Sequence, residues 1–138
     1  MNYRKLKNIL LLEDSEEDIV LIKRQIVKSG LKVHFSSCSN KVHFFEQLDS
    51  FTPDLILSDY HIPFFHGFEA IKVAKEKHPN IPFVFVTGKI SEDLAEETML
   101  VSADAYVLKE NLKNLPSVIK LLWNYRRDNH CRILSHYN

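Results

Sequence analysis

Four times in this chain a short run of apolar residues, without polar alternation, stops at a residue that can do chemistry. Lys7 to Leu12 runs into Glu13 and Asp14, Asp54 to Leu57 leads to Asp59, Pro82 to Val86 reaches Thr87, and Ala105 to Leu108 is closed by Lys109. Runs of this length and character read as strands buried on both faces. A fifth, Lys32 to Ser37, sets Val33 and Phe35 against His34 and Ser36, as an edge strand with one exposed side does.

The stretches between them have helical spacing. Ser15 is placed to cap a helix with Glu16, Glu17 and Asp18 in its first turn, where acid complements the helix dipole. Ile19, Ile22 and Ile26 share a face, with Val20 and Val27 beside them, and Gly30 supplies the stop. Ser39 or Asn40 caps a second helix whose Val42, Phe45 and Leu48 face the core, ended by Phe51-Thr52-Pro53. Pro63 and Gly67 turn the backbone away from the sheet before a third helix, about Gly67 to Lys77, which buries Phe68, Ile71 and Ala74. Ser91 caps a weaker fourth helix through Leu94, Ala95 and Met99. Pro116 sits in the first turn of a fifth, carrying Leu115, Val118, Ile119 and Leu122, with no clear period after Arg126. Five strands alternating with five helices over short connections make a parallel sheet covered on both sides.

At 138 residues the chain suits one domain. Lysine plus arginine equals aspartate plus glutamate, 18 against 18, so no global charge draws the protein to nucleic acid or an anionic membrane. Cys38 and Cys131 form neither a disulfide framework nor a metal-ligand spacing, and no apolar stretch approaches the roughly 20 residues of a membrane span. A cytoplasmic protein is expected. His61 and His66 match no tetrahedral zinc spacing, and His130, Cys131 and His136 fall in a short tail.

In an open parallel sheet the ligand lies outside the carboxyl ends of the strands, where strand order reverses. If the strands before Glu13 and Asp59 are neighbours, their axes are about 4.8 Å apart and three carboxylates crowd one small volume. Two like charges about 4 Å apart repel by roughly 4 kcal/mol at an effective dielectric near 20, so the cluster calls for a cation. A hard divalent ion held by one or two carboxylates, waters and a phosphate oxygen suits it, and magnesium is usually held that way. Phosphoryl transfer asks mostly for position and charge neutralisation. Asp59 is placed as the nucleophile, with the Thr87 hydroxyl and the Lys109 ammonium each taking a phosphoryl oxygen, and Gly88 leaves room for a bulky donor.

Leu11-Leu12-Glu13-Asp14-Ser15, Leu57-Ser58-Asp59-Tyr60-His61-Ile62-Pro63 with Gly67, Val86-Thr87-Gly88 and Tyr106-Val107-Leu108-Lys109 resemble the four signatures of receiver domains of two-component response regulators, here of the stand-alone type. The likeness runs from about Lys7 to Tyr125, giving a receiver domain at 1–125 and a tail at 126–138. It implies a flavodoxin-like, doubly wound α/β fold with strand order 2-1-3-4-5. It implies that a histidine kinase or histidine phosphotransfer protein phosphorylates Asp59, with magnesium at Asp14, Asp59 and the backbone carbonyl of His61 and with Glu13 acting through water. It also implies a switch in which Thr87 moves toward the phosphoryl group and Tyr106 turns inward. The resemblance also marks His61 and Lys89 as variable positions that tune the phosphoryl lifetime. Ser102 replaces a common glycine, and Glu110 a usual proline, which makes a cis bond after Lys109 unfavourable.

Arg126-Arg127 is too small a basic patch for DNA, and no helix-turn-helix follows it. Output therefore passes to another protein, with the face of the fourth helix, fifth strand and fifth helix as the docking or homodimer surface. Phe64 and Phe65, after the site, either bind a partner or cap the core. Two other functions compete. A magnesium-dependent phosphohydrolase with an aspartyl-phosphate intermediate resembles the chain in fold, but it places an Asp-x-Asp after its first strand. A pseudo-receiver keeps the fold as an interaction module without phosphorylation.

Overall fold

A computed structural model describes residues 4–88 and 103–136, with side chains for 4–88 and 103–125. In chain order the elements are β1 (Asn8–Leu12), α1 (Glu16–Lys28), β2 (His34–Cys38), α2 (Lys41–Ser50), β3 (Leu55–Ser58), β4 (His61–Ile62) and β5 (Phe65–His66). Then come α3 (Gly67–Lys77), β6 (Phe83–Thr87), β7 (Ala105–Leu108), a 3-10 segment (Lys109–Asn114) and α4 (Leu115–His136). The helix expected at Ser91, Leu94, Ala95 and Met99 lies outside the described residues, as do Lys89 and Ser102.

The five long strands form one parallel sheet in the order β2-β1-β3-β6-β7. Leaving aside the two-residue β4 and β5, which make a separate antiparallel pair, this is the doubly wound order 2-1-3-4-5. Strand order reverses between β1 and β3. Leu12 is level with Cys38 on one side and Ser58 on the other, Ser58 with Phe85, and Thr87 with Leu108, so the carboxyl ends of the strands share one rim.

Successive side chains of a strand point to opposite faces, and the apolar runs therefore feed two cores. Leu10, Leu12, Ile56, Phe83 and Phe85 meet Phe44, Leu48, Ile71 and Ala74 beneath α2 and α3. Ile9, Leu11, Leu55, Leu57 and Val84 meet Ile22, Ile26, Leu115, Ile119 and Trp123 beneath α1 and α4. Each fully buried aliphatic or aromatic side chain contributes about 1.5–3 kcal/mol, which leaves these strands no register but one.

Helix starts follow their caps. Ser15 Oγ accepts the Asp18 N–H and Asn40 Oδ1 accepts the His43 N–H, while His66 Nδ1 accepts from Phe68 at the head of α3. On α2 the expected core face is off by a step. Phe44 and Leu48 are buried, Phe45 is half-buried and Val42 is exposed, because residues four apart from Phe44 project inward once Asn40 has fixed the first turn. Phe68 is half-buried rather than buried, and Val20 and Val27 are exposed. The residues after Arg126, which lack an apolar period, continue α4 to His136. No described helix is long and apolar enough to cross a membrane.

Acids at the amino ends of the strands have structural partners. Asp54 is buried and its Oδ2 accepts the N–H groups of Lys7 and Asn8, both at 2.9 Å, with Arg4 2.6 Å from Oδ1. Asp104 Oδ2 accepts from the Phe83 N–H at 2.8 Å and from Lys75 at 3.0 Å. These carboxylates tie strands together by filling backbone donors, and acids at the other rim do something else.

Candidate functional site

Backbone ladders continue one residue past β1 and β3, and they fix where the first acids stand. The Glu13 N–H donates to Cys38 O, and the Asp59 N–H to Leu12 O, each at 2.9 Å. Glu13 then curls over its own loop, with Oε2 accepting the N–H groups of Asp14 and Ser15 at 3.0 and 3.1 Å. Asp59 Oδ1 accepts the His61 N–H at 3.2 Å. Glu13 and Asp59 are buried, at 2% and 8% exposure, and Asp14 is exposed.

The ligand oxygens of Glu13, Asp14 and Asp59 all lie within 4.8 Å of one another. Oxygens around an ion with bonds of about 2.0–2.1 Å are about 3 Å apart when adjacent and about 4.2 Å apart when opposite. The three carboxylates therefore fit a small hard cation after minor side-chain adjustment, and the exposed Asp14 leaves a solvent side for its waters.

Lys109 reaches this cluster from the end of β7. Its ammonium donates to Asp59 Oδ2 at 2.9 Å and to Asp18 Oδ2 at 2.7 Å. Glu13 Oε1 is also 2.7 Å away, completing an ion pair with the same ammonium. Burial pulls the Lys109 ammonium downward, and the contacts with Asp18, Glu13 and Asp59 outweigh it and hold the group above the usual lysine range. Burial pushes Glu13 up from 4.5 to about 7; the Asp59 charge adds to this, and Lys109 and the Ser15 N–H oppose it. The bond after Lys109 is trans, and Glu110 in place of proline does not keep the amine from Asp59.

Thr87 ends β6 with its Oγ1 fully buried and without a hydrogen-bond partner among the described residues. A Cβ added at the neighbouring Gly88 meets none of the described residues within 4 Å. Tyr106 points outward, 41% exposed. Beyond Asp59 the chain makes the β4–β5 hairpin, with Phe64 exposed at its tip and Phe65 buried against Phe44. Gly67 lets this excursion return, since its N–H donates to Tyr60 O and a Cβ there comes within 2.7 Å of the Tyr60 ring.

Glu13, Asp14, Asp59 and Lys109 are thus brought together as the strand ends suggest. His61 joins through its N–H, its ring being exposed. Asp18 is the addition. Its position marks it only as a first-turn acid, and nothing in the sequence singles it out from Glu16 and Glu17 as the partner of Lys109.

A family model described as the response regulator receiver domain matches residues 9–120. The chain belongs to that family. Among curated relatives, this receiver domain is 26% identical over 99 residues to the luminescence regulatory protein LuxO of Vibrio campbellii, which covers 72% of this chain and 21% of that protein. The receiver domain thus spans about a fifth of the length of such relatives. Its fold superposes on a CheY-like receiver domain protein from Methanospirillum hungatei with a TM-score of 0.77 and 23% identity, covering 91% and 99% of the two chains. The phosphorylated cyanobacterial phytochrome response regulator RcpA gives a TM-score of 0.69 and 25% identity, covering 87% and 93%.

Proposed function

We propose that this receiver domain is a phosphoacceptor switch in which Asp59 takes a phosphoryl group from a histidine kinase or histidine phosphotransfer protein. The observation that carries the reading is the Lys109 ammonium 2.9 Å from Asp59 Oδ2, beside carboxylates of Glu13, Asp14 and Asp59 within 4.8 Å of one another. As the donor's P–N bond breaks, an Asp59 oxygen forms the new P–O bond, and the donor imidazole leaves with a proton. Lys109 donates to one phosphoryl oxygen, and the unpartnered Thr87 hydroxyl to another. Glu13, Asp14 and Asp59, with the His61 carbonyl that the family likeness adds, are the residues that hold magnesium. When bound, that ion neutralises charge on the transferring phosphoryl group.

The switch follows from the same contacts. Phosphorylation replaces the single charge of the Asp59 carboxylate with a phosphoryl group of about −1.5 to −2, Thr87 turns to it, and Tyr106, outward in this state, moves in. Output passes through protein contacts at the Tyr106 face, which also serves any homodimer, with no nucleic acid and no membrane involved. The protein acts in the cytoplasm, as a regulator that takes part in its own phosphoryl transfer and slow dephosphorylation rather than as an enzyme. Residues 1–125 form the receiver unit and 126–138 a short tail, which as far as His136 prolongs its last helix.

Acetyl phosphate with magnesium is expected to add one phosphoryl mass to the protein, and Asp59→Asn to abolish the adduct. Equal labelling of that variant would move the acceptor elsewhere, and equal labelling without magnesium would count against a cation at Glu13 and Asp14. A wild-type chain that takes no label would leave a phosphorylation-independent interaction module.

A further inference from the structure

Lys109 is held from a direction that the strand-end pattern does not foresee. Asp18 is the third residue of α1 after the Ser15 cap, where an acid ordinarily folds back onto the N–H of the capping residue and completes a capping box. Half of that box is present, since the Asp18 N–H donates to Ser15 Oγ at 3.2 Å. The other half has been taken, because the Ser15 N–H goes to Glu13 Oε2 at 3.1 Å. Relieved of capping, the Asp18 carboxylate reaches across 91 residues of chain and accepts from Lys109 at 2.7 Å.

As a stabilising pair this contact is worth little, because the Asp18 side chain is 27% exposed and solvent screens it. Its effect is on position. A lysine ammonium has three N–H groups in a fixed array. Asp18 and Asp59 each accept from it, and Glu13 Oε1 is ion-paired to it at 2.7 Å. Take Asp18 away and only Glu13 and Asp59 hold the ammonium, so it is drawn toward that acid pair and off the line on which an incoming phosphoryl oxygen meets it.

We infer that Asp18 is a positioning residue for Lys109, holding its ammonium over Asp59 from the α1 side and thereby setting the rate at which Asp59 is phosphorylated. The inference rests on the proposed phosphoryl transfer to Asp59. It is tested by a double-mutant cycle on the rate of labelling by acetyl phosphate with magnesium. Asp18→Asn is expected to slow labelling on the order of tenfold, equivalent to about 1.4 kcal/mol. In a Lys109→Ala background the same change is expected to alter the rate less than about twofold, because the group it positions is gone. Labelling of Asp18→Asn at the wild-type rate, or equal slowing in both backgrounds, would overturn the assignment while leaving the phosphoacceptor reading intact. No label on the wild-type chain would overturn both. A second readout needs no turnover. In protein carrying ¹⁵N-lysine, the Lys109 ammonium resonance is expected to shift or broaden in Asp18→Asn, and an unchanged resonance would likewise overturn the assignment.

Discussion

At Glu13 two demands oppose each other, since burial favours the neutral acid and the proposed cation at the rim needs the carboxylate. Its ordinary value of 4.5 is pushed up to about 7, chiefly by burial. Between those values the folded chain keeps a proton that the unfolded chain has lost. The contribution of this group to stability is therefore greatest below pH 4.5, falls as pH rises through the window, and is fully spent above about 7. Urea unfolding without divalent cation is expected to show Glu13→Gln, a neutral isostere, gaining on wild type from pH 5 to pH 8. A constant difference between the two would mean that Glu13 titrates as an ordinary surface acid. The acids and the amine of this site are legible in the sequence because each follows a wholly apolar strand, and a strand end is a fixed address. Asp18 is not legible in that way. Its role depends on Glu13 taking the Ser15 N–H, a choice among backbone donors made only in three dimensions.

Among the elements, the head of α3 has a glycine where space demands one, and the chain after α2 lacks a glycine where the backbone favours one. Gly67 is required by space, because an added Cβ lies 2.7 Å from Tyr60 Cδ2, 2.9 Å from Phe85 Cε1 and 3.0 Å from Tyr60 Cα. Gly67→Ala is expected to cost about 1–3 kcal/mol in urea unfolding, and a loss below 0.5 kcal/mol, roughly the limit for neutral substitutions, would mean that the Tyr60 backbone can yield. Thr52 is the reverse case. It follows the last turn of α2 with φ at 49°, a left-handed position where glycine is usual and a β-branched residue is strained. Thr52→Gly is expected to raise stability by about 0.5–1 kcal/mol after the flexibility of the unfolded glycine is discounted, and a loss would show that Thr52 Oγ1 on Phe51 O matters more than the strain. Helices with side-chain caps were readable to within a residue, as α3 shows, with Gly67 to Lys77 both expected and found. The β4–β5 hairpin was not, since strands of two residues have no period to read. The buried face of α2 was misassigned because Val42, Phe44 and Phe45 are all apolar, and only the cap decides which of them turns inward.

For the molecule as a whole, alternation along the central strands divides the apolar residues between two cores, and the chain could not fill both without helices on each face. Layers and parallel strands thus follow from pattern alone. Strand order does not, since any right-handed arrangement satisfies the pattern, and here it came from family likeness before the sheet itself displayed it. Into this interior Thr87, like Tyr60, brings a hydroxyl with no partner among the described residues. Such a group costs about 1–3 kcal/mol until an acceptor arrives. Thr87→Val is therefore expected to melt no lower than wild type when unmodified and to gain less in melting temperature when acetyl phosphate and magnesium are supplied; an equal gain would mean that the hydroxyl finds no new partner. In the proposed switch the unmodified protein is thus the less contented form, kept slightly thirsty at the Thr87 hydroxyl. An arriving oxygen does not have to force the molecule into a new shape, only to quench it.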